Sequence, residues 1–153
     1  MTLIPIGVLV LLSASAFAQA PNNSSPPTVQ RLCGKLEQTK DVPVKGEPNN
    51  LATKEQDARH AAVSLYSADA NGQCCELATA VTTTMTNHWG NFHLKSKHLP
   101  EGIYWLQVEW NGRKYRMLVH YAPKRYPDQL CSETEWEIND AGDFRKVEFI
   151  TVD

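Results

Sequence analysis

The chain has 153 residues, a formal net charge of −2 and four cysteines, which suits one domain with a real core and is too little for two ordinary ones. The near-neutral balance argues against a nucleic-acid binder, which normally shows a basic excess or stripe. Arg113, Lys114, Arg116, Lys124 and Arg125 cluster locally, and they read as a solvated face.

Residues 1–20 carry no charge, hold an apolar run from Leu3 to Leu12 and end in small residues at Ala16, Ala18 and Ala20. That is the pattern of a secretory signal cleaved after Ala18 or Ala20. The run is well short of the roughly 20 apolar residues a spanning helix needs, so no membrane span is expected after cleavage. Localisation is then secreted or periplasmic. Cys33, Cys74, Cys75 and Cys131 all survive cleavage, and an oxidising compartment makes them disulfide candidates. No C-x-x-C pair is present, which argues against zinc. Adjacent cysteines rarely bond each other. If the strand at Cys33 pairs antiparallel with the one ending near Ser67, Cys33 reaches Cys74 or Cys75, and Cys131 takes the other.

Pro21 to Thr28 is polar and proline-rich, and residues 21–30 read as a disordered leader before a single domain over 31–153. Val29 to Gln38 reads as a first strand. Asp41 to Arg59, with Pro43, Gly46 and Pro48, reads as a long loop with a helical turn near Lys54 to Arg59. Ala61 to Ser67 alternates and is closed by the turn residues Asp69 to Gly72, giving a second strand. The Thr- and Val-rich run Cys75 to Thr86 gives a third. Asn87 to Asn91 turns the chain into a fourth at Phe92 to Lys95.

The strongest local signal is Asn111-Gly112 between two alternating apolar runs, because a type I′ hairpin turn needs positive φ at both central positions. A two-residue turn sets Trp110 opposite Arg113 and carries the ladder to Tyr104 opposite Val119. Tyr104, Leu106, Val108, Tyr115, Met117 and Val119 then share the core face. Gln107, Glu109, Lys114 and Arg116 face out, together with the apolar pair Trp105 and Leu118. A last strand pair, Thr134 to Ile138 and Val147 to Val152, flanks Asn139 to Gly142. Its row of Glu133, Glu135 and Glu137 reads as a solvated face. Short strands, frequent turn signals and no amphipathic helix predict an all-β fold, an antiparallel β-sandwich of about seven or eight strands.

Particular residues carry a family likeness. Asn87-His88-Trp89-Gly90-Asn91-Phe92, followed by Leu99-Pro100-Glu101-Gly102-Ile103-Tyr104, resembles the T-D-x-x-G-x-F and L-P-P-G-x-Y pair of carboxypeptidase regulatory-like domains. These belong to the prealbumin-like (transthyretin-like) group of Ig-like sandwiches. Ala61 to Leu65 resembles that family's preceding A-x-V-x-L strand. Asn87 stands where the family has aspartate, and Glu101 where it has a second proline. The resemblance implies an accessory module for binding or scaffolding, with no enzyme identified.

The chain's motifs point the same way. There is no G-x-S-x-G elbow, phosphate-cradling glycine loop, H-E-x-x-H or His-x-His. His88, His93 and His98 are spaced by five, which alternates faces on an extended strand, so no metal or cofactor is expected. What remains is aromatic surface: Trp89 at a turn tip, and Trp105 beside Leu118 on the hairpin's outward face. Two functions follow. The first is a docking patch at Trp105 and Leu118 for an extracellular or envelope protein, which requires both to be exposed on one flat face. The alternative is a carbohydrate-binding module in which Trp89, alone or together with Trp105, stacks on a sugar, which requires exposed rings beside Asn, Gln or acidic groups.

Overall fold

The structure is a computed structural model that describes residues 25–68, 73–75 and 78–148. The expected signal, the turn at Asp69 to Gly72 and the expected end of the last strand from 149 onward lie outside the described residues. The described chain is all-β. Its strands are β1 (Thr28–Val29), β2 (Cys33–Val44), β3 (Glu47–Asp57), β4 (Ala62–Ser67), β5 (Thr82–Met85), β6 (Asn91–His93), β7 (Gly102–Trp110), β8 (Arg113–Tyr121), β9 (Glu135–Asn139) and β10 (Phe144–Lys146), with a 3-10 turn at Cys131–Glu133.

The β7–β8 hairpin follows the register its Asn-Gly turn dictates, from Trp110 opposite Arg113 to Tyr104 opposite Val119. Asn111 and Gly112 take φ values of 50° and 73°, the left-handed geometry that a type I′ turn requires. This hairpin forms the centre of one sheet, in the order β1-β8-β7-β4-β5. The second sheet runs β10-β9-β2-β3, with β6 also on β2. Both sheets feed one hydrophobic cluster. Val63, Leu65, Leu106, Val108, Tyr115 and Val119 come from the first, and Leu36, Trp136, Ile138 and Phe144 from the second. Each large apolar side chain fully buried there stabilises the fold by roughly 1.5–3 kcal/mol.

The sheets are mixed, where alternation alone suggested purely antiparallel pairing. β2 runs parallel to β9, with Leu36 opposite Trp136, and β1 runs parallel to β8. Gly34 makes the first pairing possible. Its φ is 142°, and a Cβ there would fall on the Thr134 carbonyl oxygen and 2.8 Å from Trp136 Nε1. The Trp136 indole instead donates to the Cys33 carbonyl at 3.0 Å.

This topology corrects the cysteine pairing. β2 belongs to a different sheet from β4, so Cys33 is carried away from Cys74 and Cys75 and toward the turn before β9. Cys33 bonds Cys131, with Cα atoms 5.3 Å apart, and Cys74 bonds Cys75. Two further expectations change. Val29 sits within the stretch expected to be a disordered leader, yet it is buried in β1, and Ala122 N donates to its carbonyl. Residues 41–59, expected to be a loop with a helical turn, continue β2 into β3 around Lys45-Gly46. Gly46, at φ 85°, is the hairpin turn here, while Pro43 and Pro48 sit where they interrupt no inner ladder.

Candidate functional site: the Trp89 turn

The turn from Asn87 to Asn91 is held by its own polar groups. Asn87 Oδ1 accepts the backbone N–H of Trp89 and of Asn91, each at 3.0 Å. The Asn87 carbonyl accepts from Gly90 N, and Asn87 N donates to the Asn91 carbonyl. An Asx turn needs only a side-chain oxygen at its first position, and Asn87 supplies it. Gly90 lies at φ 78°, and a Cβ there would fall on the Leu36 carbonyl oxygen. Its own carbonyl accepts Leu36 N at 2.8 Å, which bolts the turn to β2.

The other side of the turn is tied to the 58–61 corner. The Thr86 hydroxyl donates to the Ala58 carbonyl at 2.5 Å and accepts from Ala61 N at 2.8 Å. Trp110 Nε1 donates to the Arg59 carbonyl at 2.9 Å. Arg59 and His60 are exposed at this corner, and His60 takes a left-handed φ of 55°. Trp89 stands on this rigid frame 58% exposed, with the His88 ring centroid 3.5 Å from its own at an interplanar angle of 40°. An exposed indole thus shares one end of the fold with Asn87, Asn91, His88, Arg59 and His60.

The second candidate pair stands differently. Trp105 and Leu118 are cross-strand partners as expected, but Trp105 is 8% exposed and Leu118 half-buried. Trp105 Nε1 is buried without a hydrogen-bond partner. Beside it on the same face, Gln107 is also buried and accepts Arg116 Nε at 2.9 Å. The outward face of the hairpin therefore offers no open indole.

The histidines are dispersed. His93 lies on β6 opposite Cys33. His120 lies on β8, 3.3 Å from a Glu101 carboxylate oxygen and 3.2 Å from the Thr28 hydroxyl. No group of three or more His, Cys, Asp or Glu side chains is placed to hold a metal ion among the described residues.

Two polar clusters escaped the sequence. On the outward face of the second sheet, Lys35 Nζ lies 2.8 Å from Glu37 and 3.1 Å from Asp57, next to Glu135 and Glu137. Burial, then the charge of Glu37, pushes the Glu135 carboxyl above its ordinary range. Glu133, expected in the same row, belongs to the 3-10 turn. The other cluster is a glutamine clasp. Gln129 Oε1 accepts Gln30 N and Arg31 N at 2.8 and 3.0 Å, while its Nε2 donates to the Arg31 carbonyl and the Thr134 hydroxyl. Gln30 returns the contact by accepting Asp128 N at 2.7 Å.

Among the described residues no helix is long and apolar enough to cross a membrane. No family model matches the chain, and neither does any curated protein or solved structure.

Proposed function

We propose that this chain is an exported, non-catalytic β-sandwich of the prealbumin-like, carboxypeptidase regulatory-like type, and that it binds carbohydrate at the Trp89 turn. The observation that carries this reading is Trp89 itself, 58% exposed on a turn that its hydrogen bonds leave little freedom to move. An indole in water is an unfavourable use of a large apolar ring, and a flat sugar face is a partner that covers it without demanding a deep pocket. Asn87, Asn91, Arg59 and His60, exposed at the same end of the fold, supply polar groups for hydroxyl recognition. The Cys33–Cys131 bond suits an oxidising compartment, in keeping with a secretory signal at residues 1–20. Support for the family type comes from the Asn87 turn and from Tyr104, whose hydroxyl donates to the Pro100 carbonyl at 2.7 Å across the L-P-E-G segment.

The docking reading at Trp105 and Leu118 has lost the open patch it required, since Trp105 is 8% exposed. A direct test is co-sedimentation of the mature chain with insoluble cellulose, chitin and peptidoglycan, alongside Trp89→Ala. Retention on one polymer that Trp89→Ala abolishes, with the variant's circular dichroism unchanged, is the expected result. Equal retention of both proteins, or none on any of the three, would overturn the assignment.

A further inference from the structure

The β2–β3 ribbon raises a separate question, independent of carbohydrate binding. β2 pairs with β9 only as far as Thr39 opposite Asn139. Beyond that point Lys40 to Val44 has β3 as its single neighbour. β3 in turn pairs with β2 alone among the described residues, and every β3 residue before Asp57 is exposed. The ribbon therefore has two strands, a short unpaired edge at Lys40 to Val44 of β2, and a longer one along β3, whose residues before Asp57 stand in water on both faces. A lone two-stranded ribbon is marginal in water, and an edge of this length is a template for a further strand.

We infer that a second copy of the same chain supplies that strand, by antiparallel pairing of β3 with β3 across a two-fold axis at Thr53. The register is chosen by the residues themselves. Such an axis keeps the two faces of the ribbon in common, so it passes through a residue rather than between two. At Lys54 or at Glu55 it would set like charges directly opposite, which is destabilising. At Leu51 or Ala52 it would draw Pro48, which has no N–H, into the ladder, and would oppose Glu47 to Glu55 or to Asp57. At Thr53 these conflicts vanish. Asn49 to Asp57 pair without interruption: Ala52 lies opposite Lys54, Leu51 opposite Glu55, and Asn50 opposite Gln56. Pro48 falls just outside, and Glu47 of one copy comes beside Arg59 of the other. Asp57 is where the strand enters the body and Glu47 is at the free tip. The two bodies therefore sit at opposite ends of the joined ribbon, clear of one another.

The test is the oligomeric state of the mature chain, measured by sedimentation velocity across a concentration series, with four variants whose circular dichroism matches the parent. Thr53→Cys should give a covalent dimer on mild oxidation, reversed by dithiothreitol, with the crosslink mapped to residue 53 of both chains by mass spectrometry. Lys54→Cys should crosslink far less. Thr53→Lys puts two ammonium groups face to face and should raise the dimer dissociation constant roughly threefold or more, whereas Leu51→Lys places each new charge opposite Glu55 and should lower it by a similar factor. A chain that stays monomeric up to about 1 mM, a Thr53→Cys chain that does not crosslink, or Thr53→Lys and Leu51→Lys shifting the constant in the same direction would each overturn the proposal.

Discussion

Reducing the Cys33–Cys131 bond is the perturbation whose size follows most directly from the fold. The bond joins residues 98 apart in sequence, so it ties the start of β2 to the turn before β9 across most of the domain. Loop-closure entropy for about 100 residues amounts to roughly 4.7 kcal/mol on the chain-entropy model, and native bridges of this kind contribute about 2–5 kcal/mol in practice. Reduction leaves both sulfurs in place and opens no cavity at Cys33, which is fully buried, so the entropic effect dominates. That is a large part of the roughly 5–15 kcal/mol by which a domain is stable. The assay is guanidinium unfolding followed by tryptophan fluorescence, with and without reductant, in a Cys74→Ser/Cys75→Ser background that removes the second bond. The midpoint should fall steeply on reduction, and the denaturant slope should rise because the unlinked chain exposes more surface. An unchanged midpoint, or free thiols at Cys33 and Cys131 in protein kept under oxidising conditions, would refute the topology that brings these two residues together.

Other consequences can be read off single residues. Gly34→Ala should cost roughly 2–4 kcal/mol in the same unfolding assay, because it adds a Cβ against the Thr134 carbonyl at a left-handed φ. A loss below about 0.5 kcal/mol would show that β2 and β9 are not so closely apposed. Gln129→Ala should lower stability by roughly 2–3 kcal/mol, since it leaves the N–H groups of Gln30 and Arg31 without their acceptor. Amide exchange at those two groups should accelerate with it. Glu135 gives a pH signature. Its folded pKa lies above the unfolded value, so the folded state holds the extra proton, and stability is lost as pH rises through the folded pKa. Glu135→Gln should therefore raise the melting temperature at pH 7 and lose that advantage near about pH 4. A variant less stable than the parent at pH 7 would reverse the sign and discredit the assigned cause.

The hairpin at Asn111-Gly112 was fully legible in the sequence because one turn type fixes one register. The facing of Tyr104 to Val119 follows from it, while strand alternation in Thr134 to Ile138 set Trp136 and Ile138 on one face, which is buried. The β2–β3 ribbon was not legible. Its residues are polar, carry Pro43, Gly46 and Pro48, and bury almost nothing, so no apolar alternation marks them as strand. Pairing with a neighbour, rather than propensity, makes them extended. The cysteine pairing failed for a related reason, since which strands share a sheet is a long-range fact that no local pattern states. The Trp89 turn was readable from Asn87 and Gly90 as a turn, but whether Trp105 stands exposed was not. Strand alternation says which face a side chain takes, and burial depends on what else covers that face.

Trp89 as the ligand-facing ring can be tested in one spectrum, because the four indoles sit in different environments. Trp110 and Trp136 donate to the Arg59 and Cys33 carbonyls, Trp105 is buried, and Trp89 lies open. Once a binding polymer is found, a proton–nitrogen correlation spectrum titrated with its soluble oligosaccharide should move the Trp89 indole signal. The other three should stay in place. Saturable binding that leaves the Trp89 signal unmoved would contradict the account and place the ligand elsewhere on the fold.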